Sequence, residues 1–246
     1  MTGFSSQRSP DSDRLLIHPA YILHRRPFSN TSLLIECFSL SHGRFPVVAK
    51  GVKRGNSASA GLLQPFHPLF IRWSGSGEVK TLNFFEAAAP PLMLKGQVLY
   101  CGFYLNELLI RLLQREDPHE QLFGSYGSTL LQLSQGHSVE PVLRHFEIEL
   151  LEQLGFGLVL DRNVEDGSPL IPEQRYHYQL ERGPVPCSQG DPSGISGATL
   201  IGLQNGELLD RVLLNEARSL TRIVLGYYLG DRPLKSRELF RTSGEK

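Results

Sequence analysis

The densest charged motif in the sequence is a cluster of cations around one glycine. Residues 49–54 read AKGVKR and place three positive charges within five residues. Gly51 permits a tight turn, and such a turn would present Lys50, Lys53 and Arg54 to a chain of phosphates. A solvated loop has the same composition and is the alternative. We predict a polyanion-binding loop at this position.

Other cations and several aromatic residues accompany this loop. The cations stand near the ends of predicted strands and in turns: Arg25, Arg26, Arg72 and Lys80. The aromatic residues interleaved with them are Phe28, Phe45, Phe66, Phe70 and Trp73. In proteins that bind single strands, a base stacked on an exposed ring contributes about 1–3 kcal/mol. We expect most of these rings in a core and one or two on a binding face.

The charge of the chain is unevenly distributed. It has 25 basic and 25 acidic side chains among 246 residues. Residues 1–80 carry ten Lys and Arg against four Asp and Glu, and the remainder carries fifteen against twenty-one. A basic N-terminal third indicates an anionic partner, of which nucleic acid is the commonest.

Motifs of common enzymes are missing from the sequence. There is no GxxxxGK[ST] loop, GxSxG elbow, HExxH or HxE followed by PCxxC. His145 and Glu147 stand two apart on a predicted helix and point to different faces, so they cannot form a local acid–base pair. Residues 194–198 (GISGA) resemble a phosphate-gripping turn, but without a preceding strand they are better explained as the start of a helix. We predict no catalytic residues.

The cysteines exclude a disulfide framework and a cysteine-pair zinc module. Cys37, Cys101 and Cys187 lie far apart, with no CxxC pair. We therefore expect a reducing cytoplasm, no metal and no other cofactor. No apolar run reaches about 18 residues and the first residues lack the apolar stretch of a signal peptide, which disfavours membrane insertion and secretion.

Short apolar runs separated by turn residues predict a small barrel over residues 16–85, after a disordered leader at 1–15. The strand candidates are 19–25, 32–39, 44–50, 66–73 and 78–84. Five strands in about 70 residues match the OB-fold, whose open face and loops commonly bind oligonucleotides. An SH3-like barrel fits the same pattern.

From Pro90 the period changes to that of helices. Apolar residues at helical spacing predict helices over 96–115, 119–134 and from Ser138 to Gly155, and helical spacing resumes up to Gly230. Residues 156–194 interrupt this pattern with a Gly- and Pro-rich stretch. They predict a small irregular insertion within a helical domain of residues 90–155 and 195–241.

The sequence resembles one known family, the bacterial DNA repair protein RecO, almost from end to end. Seven segments carry the resemblance in the family's order: 23–33 (LHRRPFSNTSL), 43–44 with 48–51 (GR, VAKG), 63–66 (LQPF), 77–82 (GEVKTL), 104–109 (YLNELL), 143–147 (LRHFE) and 233–240 (PLKSRELF). The resemblance implies an α+β protein, with an N-terminal OB-fold followed by a helical domain that contains a small inserted subdomain.

The resemblance also implies a function without substrate turnover. RecO proteins bind single- and double-stranded DNA and anneal complementary strands. They bind the acidic, apolar C-terminal tail of single-strand DNA-binding protein (SSB) and act with RecR to load RecA at gaps. The cellular place implied is the cytoplasm, at the nucleoid.

Site residues follow partly from the resemblance and partly from charge. The resemblance points to Lys50 and Arg54 as DNA contacts; the cations named above complete the set. For the SSB tail it points to Arg144, flanked by Leu143 and Phe146. A guanidinium can grip a terminal carboxylate bidentately while an apolar groove receives the tail's last ring. The alternative is a surface Arg144 paired with Glu140 or Glu147.

One departure from the family concerns zinc. Many members carry two CxxC pairs in the inserted subdomain, whereas residues 156–194 contain Cys187 alone. No metal is predicted on this ground. The motif Lys235-Ser-Arg237 also fits the family, and we assign it no role. Two other function classes stay open: an OB-fold RNA-binding protein with a helical scaffold, and an enzyme with an unrecognised site near His145 or Gly194.

Overall fold

The computed structural model describes residues 16–53, 57–207 and 210–242. Arg54 and the predicted leader lie outside the described residues. The chain forms two compact units, which we call the barrel unit (residues 1–94 and 105–123) and the helical unit (residues 95–104 and 124–246).

Five strands close a barrel in the barrel unit, as predicted. They are β1 (His18–Pro27), β2 (Leu33–Ser39), β3 (Gly43–Ala49), β4 (Leu69–Ser74) and β5 (Lys80–Ala87). Their order around the barrel is β1-β2-β3-β5-β4. The pairing of β3 with β5 is parallel and the other pairings are antiparallel. In this order β3 pairs with β5 rather than with β4, which is the arrangement of an OB-like barrel. The structure therefore favours the OB-fold over the SH3-like barrel, the two folds that fitted the sequence.

Alternating apolar residues explain why these segments form a barrel. Every second residue of β2 points inward and is buried, and the core is filled by Ile22, Ile35, Val47, Ile71 and Trp73. A short helix that the sequence did not predict, α1 (Ser57–Leu62), lies between β3 and β4.

Residues 113–117 are fixed against the barrel. Arg44 Nη2 donates to Leu113 O at 2.9 Å, and the Arg44 guanidinium also pairs with Glu36. Gly43 has φ +60°, and a Cβ there would lie 1.9 Å from Asp117 O. Both its backbone conformation and this close approach therefore require glycine.

Helices dominate the chain after the barrel, as predicted up to Gly230, and one further helix lies beyond the predicted helical spacing. The described helices after the barrel are α2 (Gln97–Leu112), α3 (Glu120–Ser134), α4 (Val139–Gln153), α5 (Gly197–Asn205), α6 (Arg211–Leu229) and α7 (Ser236–Thr242). Residues 156–194 are less irregular than predicted. They supply β6 (Arg175–Gln179) and β7 (Gly183–Pro186), which form a three-stranded antiparallel sheet with β8 (Ile195–Ser196) in the order β7-β6-β8. Among the described residues, no helix combines the length and apolarity needed to span a bilayer.

Candidate functional sites

Three strand ends of the barrel lie side by side. Pro27 pairs with Leu33, and Leu33 pairs with Ala49. Phe28 follows Pro27, and its N–H donates to Ser32 O at 3.1 Å. Since neighbouring strands are about 4.8 Å apart, the backbones of Phe28 and Lys50 are separated by roughly 10 Å across two strands.

The loop after β3 folds back onto the turn between β1 and β2. Lys53 N donates to Thr31 O at 3.1 Å, and Lys53 Nζ donates to Ser29 O at 2.8 Å. Gly51 has φ +74°, which confirms the tight turn predicted at this glycine. Lys50 and Lys53 are thereby held at the same end of the barrel as Phe28.

We call Arg26, Phe28, Lys50 and Lys53 the basic rim. The three cations are exposed, and the Phe28 side chain is 60% exposed. None of these cations forms an ion pair with an acid in the described part of the chain. The only acid between residues 14 and 77 of the sequence is Glu36, and it pairs with Arg44. The positive field of the rim therefore has no neutralising partner among its neighbours in sequence.

Two further predicted cations have internal contacts. Arg25 is half-buried, and its Nη1 donates to Ala60 O at 3.2 Å and to Leu63 O at 3.1 Å. These carbonyls orient the guanidinium but leave its charge uncompensated. Arg72 is half-buried, with its Cζ 5.6 Å from the centroid of the Phe84 ring.

Lys80 corrects one prediction. Its side chain is 4% exposed, and Nζ donates to Glu116 Oε1 at 2.6 Å and to Gly77 O at 2.8 Å. A phosphate cannot reach an ammonium that is buried and already paired, so Lys80 is a structural residue. The aromatic prediction holds in outline, because Phe45, Phe66 and Trp73 are buried while Phe28 is exposed.

A cavity of about 520 Å³ lies in the helical unit, between the start of α2 and helices α4, α6 and α7. Its wall is partly apolar and partly charged. The charged members are Arg144, Arg218, Arg222, Arg237, Glu140 and Glu147, and the apolar and aromatic members include Val139, Leu143, Cys101, Tyr104 and Phe240. Four guanidinium groups against two carboxylates make this cavity basic.

Arg144 belongs to a buried network within the cavity wall. Its Nη2 donates to Glu147 Oε1 at 2.7 Å and its Nη1 to Thr221 Oγ1 at 3.0 Å. Tyr104 donates its hydroxyl to the same Glu147 oxygen at 2.6 Å. Burial and the negative charge of Glu147 raise the pKa of Tyr104 well above its ordinary value. Of the two partners left open for Arg144, Glu147 is the one observed, and the pair is buried rather than at the surface.

The other three arginines are more available to a ligand. Arg218 Nη1 lies 3.7 Å from Glu140 Oε1, and both side chains are largely exposed. Arg222 and Arg237 form no ion pair with any residue that the structure describes. Arg144 is already paired with Glu147. A carboxylate that enters the cavity would therefore bind to Arg222 and Arg237, whose charges are not compensated.

Phe146 corrects a second prediction. It is fully buried, packs near Tyr126 with ring centroids 6.4 Å apart, and does not line the cavity. Leu143 does line it. The exposed ring at the cavity is Phe240 of α7, which lies edge-on to Tyr100 at 5.6 Å. Sequence reasoning singled out the segment around Lys235–Arg237 without assigning it this position.

Two buried cysteines and the turn at Gly194 bear on the enzyme alternative. Burial raises the pKa of the Cys37 thiol, and it raises the pKa of Cys101 to about 11, so both are protonated and packed. The turn at Gly194 leads into α5 as predicted. At the start of this helix, the backbone N–H of Ser196 and the hydroxyl of Thr199 both donate to Glu216 Oε2, at 3.0 Å and 2.6 Å. An acidic side chain of the protein thus fills the place where a phosphate would bind.

Comparisons with known proteins place these sites in context. The family model described as "Recombination protein O N terminal" matches residues 14–91, and "Recombination protein O C terminal" matches residues 94–238. The DNA repair protein RecO of Methylococcus capsulatus is 45% identical over 236 residues, covering 96% of this chain and 97% of that protein. The proteins of the same name from Nitrosospira multiformis and Nitrosococcus oceani are 45% and 46% identical, covering 94% and 92% of this chain and 97% and 93% of their own lengths.

Proposed function

The chain belongs to the RecO family of DNA repair proteins, and we propose that it acts there as a recombination mediator without catalytic turnover. In this role it binds single- and double-stranded DNA, anneals complementary strands, and recruits SSB through its C-terminal tail. With RecR it then helps to load RecA at gaps. Its place of action is the nucleoid in the cytoplasm.

The observation that carries the DNA-binding proposal is the basic rim. Three exposed cations without acidic partners among the described residues lie at the same end of the barrel as a ring that is 60% exposed. Cations at this spacing neutralise successive phosphates, and the ring offers one base a stacking surface. Nothing in this arrangement reads base edges, so binding is expected to be independent of sequence. Arg25 and Arg72 extend the set, and Arg54 is retained on charge alone.

The basic cavity supports the proposal for the SSB tail. A peptide that ends in an acidic and apolar sequence needs cations for its carboxylates and an apolar pocket for its last ring. Arg222 and Arg237 supply the cations, and Leu143 with Phe240 supplies apolar surface. Arg144, which is paired with Glu147 and bonded to Thr221, then acts as a wall residue that fixes α4 against α6.

The RNA-binding alternative would leave the helical unit as a scaffold. A cavity of about 520 Å³ with unpaired arginines is more than a scaffold requires. Competition between RNA and DNA of equal length for the protein separates the two functions, because a mediator of DNA repair must retain single-stranded DNA in the presence of RNA.

The proposed function is tested by annealing complementary oligonucleotides coated with SSB. The rim variant Lys50→Ala/Lys53→Ala should lose annealing of naked and coated strands alike. The cavity variant Arg222→Ala/Arg237→Ala should anneal naked strands normally and fail only on coated ones. The matched control Lys95→Ala/Arg211→Ala removes the same charge from exposed positions of the helical unit. Wild-type protein that anneals neither substrate would refute the proposal.

A further inference from the structure

A group of potential metal ligands lies on one face of the small sheet of the helical unit. Arg175 and His177 are two residues apart in β6, so their side chains share a face. Cys187 directly follows β7, and its N–H donates to Arg175 O at 2.9 Å. Cys187 is therefore the cross-strand neighbour of Arg175 and the diagonal neighbour of His177, close enough for their side chains to meet.

The loop of residues 188–194 brings a carboxylate to the same face. Asp191 Oδ2 lies 2.9 Å from His177 Nε2. The other oxygen, Oδ1, accepts from Ser193 N at 2.9 Å and from Ser193 Oγ at 2.6 Å. A Cβ on Gly194 would lie 2.8 Å from Cys187 Sγ. Only glycine lets the loop lie this close to the thiol, and the serine bonds aim Oδ2 at the imidazole.

We propose that His177, Cys187 and Asp191 bind one divalent transition-metal ion, zinc being the best match, with water in the fourth position. The imidazole nitrogen, the sulfur and a carboxylate oxygen all lie within 4.8 Å of one another. Metal–ligand bonds of about 2.0–2.3 Å place tetrahedral donors roughly 3.3–3.8 Å apart, so a modest contraction of the side chains closes the site. Cys187 and Asp191 have three residues between them, as paired ligands of zinc sites commonly do.

The donor set selects the class of metal. A thiolate and an imidazole favour zinc and its neighbours over magnesium and calcium, which prefer oxygen donors. The His177 side chain is 44% exposed, which leaves room for a water ligand. The site differs from a four-cysteine centre, because the chain has no CxxC pair and offers a single sulfur.

Surrounding groups hold the ligands and can stabilise a thiolate. Gln174 Nε2 donates to Cys187 O at 2.9 Å and fixes the backbone of the cysteine. Arg175 Nε is buried without a hydrogen-bond partner among the described residues. Like Cys187 Sγ, it lies next to Gly194, since a Cβ added there would be 3.2 Å from Nε and 2.8 Å from Sγ. A metal-bound thiolate accepts hydrogen bonds, so deprotonation of Cys187 would give this unpaired N–H an acceptor.

Metal binding at this site has a proton balance. Without metal, a cysteine thiol of ordinary pKa about 8.5 is protonated at neutral pH. Binding of the ion forms a metal–sulfur bond and releases that proton to the buffer. The bound ion links β6, the end of β7 and the loop, and thereby fastens the small sheet.

Cobalt is the probe that tests this site, because a cysteine ligand gives Co²⁺ a thiolate charge-transfer band in the near ultraviolet. Untagged full-length protein should develop the band and saturate it at one Co²⁺ per chain, and Zn²⁺ should abolish it. The variant Cys187→Ser should lose the band. His177→Asn should weaken binding by at least about tenfold, since even residues that only support ligands contribute that much. Cys101→Ala, which removes a buried cysteine outside the site, should retain the band.

A second measurement does not depend on the spectrum. Calorimetry in two buffers of different ionisation enthalpy should show about one proton released per Zn²⁺ bound by the wild type and none by Cys187→Ser. Absence of the thiolate band, or a band that survives Cys187→Ser, would overturn the proposal. Weak Co²⁺ binding unchanged in His177→Asn would do so as well, since it would mark adventitious surface binding.

Discussion

Replacing Phe28 with alanine should weaken binding of single-stranded DNA while leaving duplex binding nearly unchanged. The ring is 60% exposed at the turn after β1, at the same end of the barrel as Lys50 and Lys53, so it can receive one unpaired base. Stacking contributes about 1–3 kcal/mol per base, which corresponds to a loss of about 5- to 150-fold in affinity. Bases of a duplex are stacked on one another and cannot use the ring.

Fluorescence anisotropy with a labelled oligothymidine and a labelled duplex of the same length measures both affinities. Phe28→Trp should restore single-strand binding, because the ring face is retained, whereas Phe28→Leu should behave like alanine. Because the ring is largely exposed, the free energy of unfolding should change by less than about 0.5 kcal/mol. Phe156→Ala removes a ring of the helical unit that is 40% exposed and should leave DNA affinity unchanged. Equal single-strand affinity of wild type and Phe28→Ala would refute a stacking role.

Two other predictions concern carboxylates of the helical unit that pair with arginines. Glu147→Gln should lower the free energy of unfolding in urea by about 3–5 kcal/mol, because it leaves the buried Arg144 guanidinium without its counter-charge. A loss under 1 kcal/mol would mean that Arg144 finds solvent instead. Burial raises the pKa of Glu216, whereas hydrogen bonds from Thr199 and Ser196 and the charge of Arg175 lower it. The lowering effects together are larger, so the pKa lies below its ordinary value of 4.5. The ionised Glu216 side chain therefore contributes its full stability above pH 4.5, and this contribution is lost as the pH falls through its folded-state pKa. In the variant Glu216→Gln, the free energy of unfolding should fall less steeply as the pH is lowered. An unchanged acid dependence would contradict this.

The barrel was predictable because its signals are local in sequence. Strands of six to ten residues alternate apolar and polar positions, and segments rich in Gly, Ser and Asn separate most of them. Helix α1 was missed because Ser57–Leu62 is too short to show a helical period. The sheet of the inserted segment was missed for a related reason, since β7 is a four-residue strand containing two prolines.

The candidate sites also differ in whether their residues are local in sequence or brought together by the fold. Lys50 and Lys53 stand in one loop, so the sequence alone was enough to make them candidates. The cavity draws its cations from α4, α6 and α7, and the metal-ligand cluster draws on β6 and a loop, so tertiary structure alone brings them together. The error at Lys80 was avoidable. Lys80 is two residues from the buried Leu82 and must share its inward face in a strand.

The salt dependence of single-strand binding tests the central claim, that the rim cations bind phosphates. Each phosphate neutralised contributes about −0.7 to the slope of log affinity against log salt concentration, so three rim cations contribute about −2. The variant Arg26→Ala/Lys50→Ala/Lys53→Ala should have a slope shallower than that of the wild type by about 2. A slope that is the same in both proteins would contradict the assignment of DNA binding to this end of the barrel.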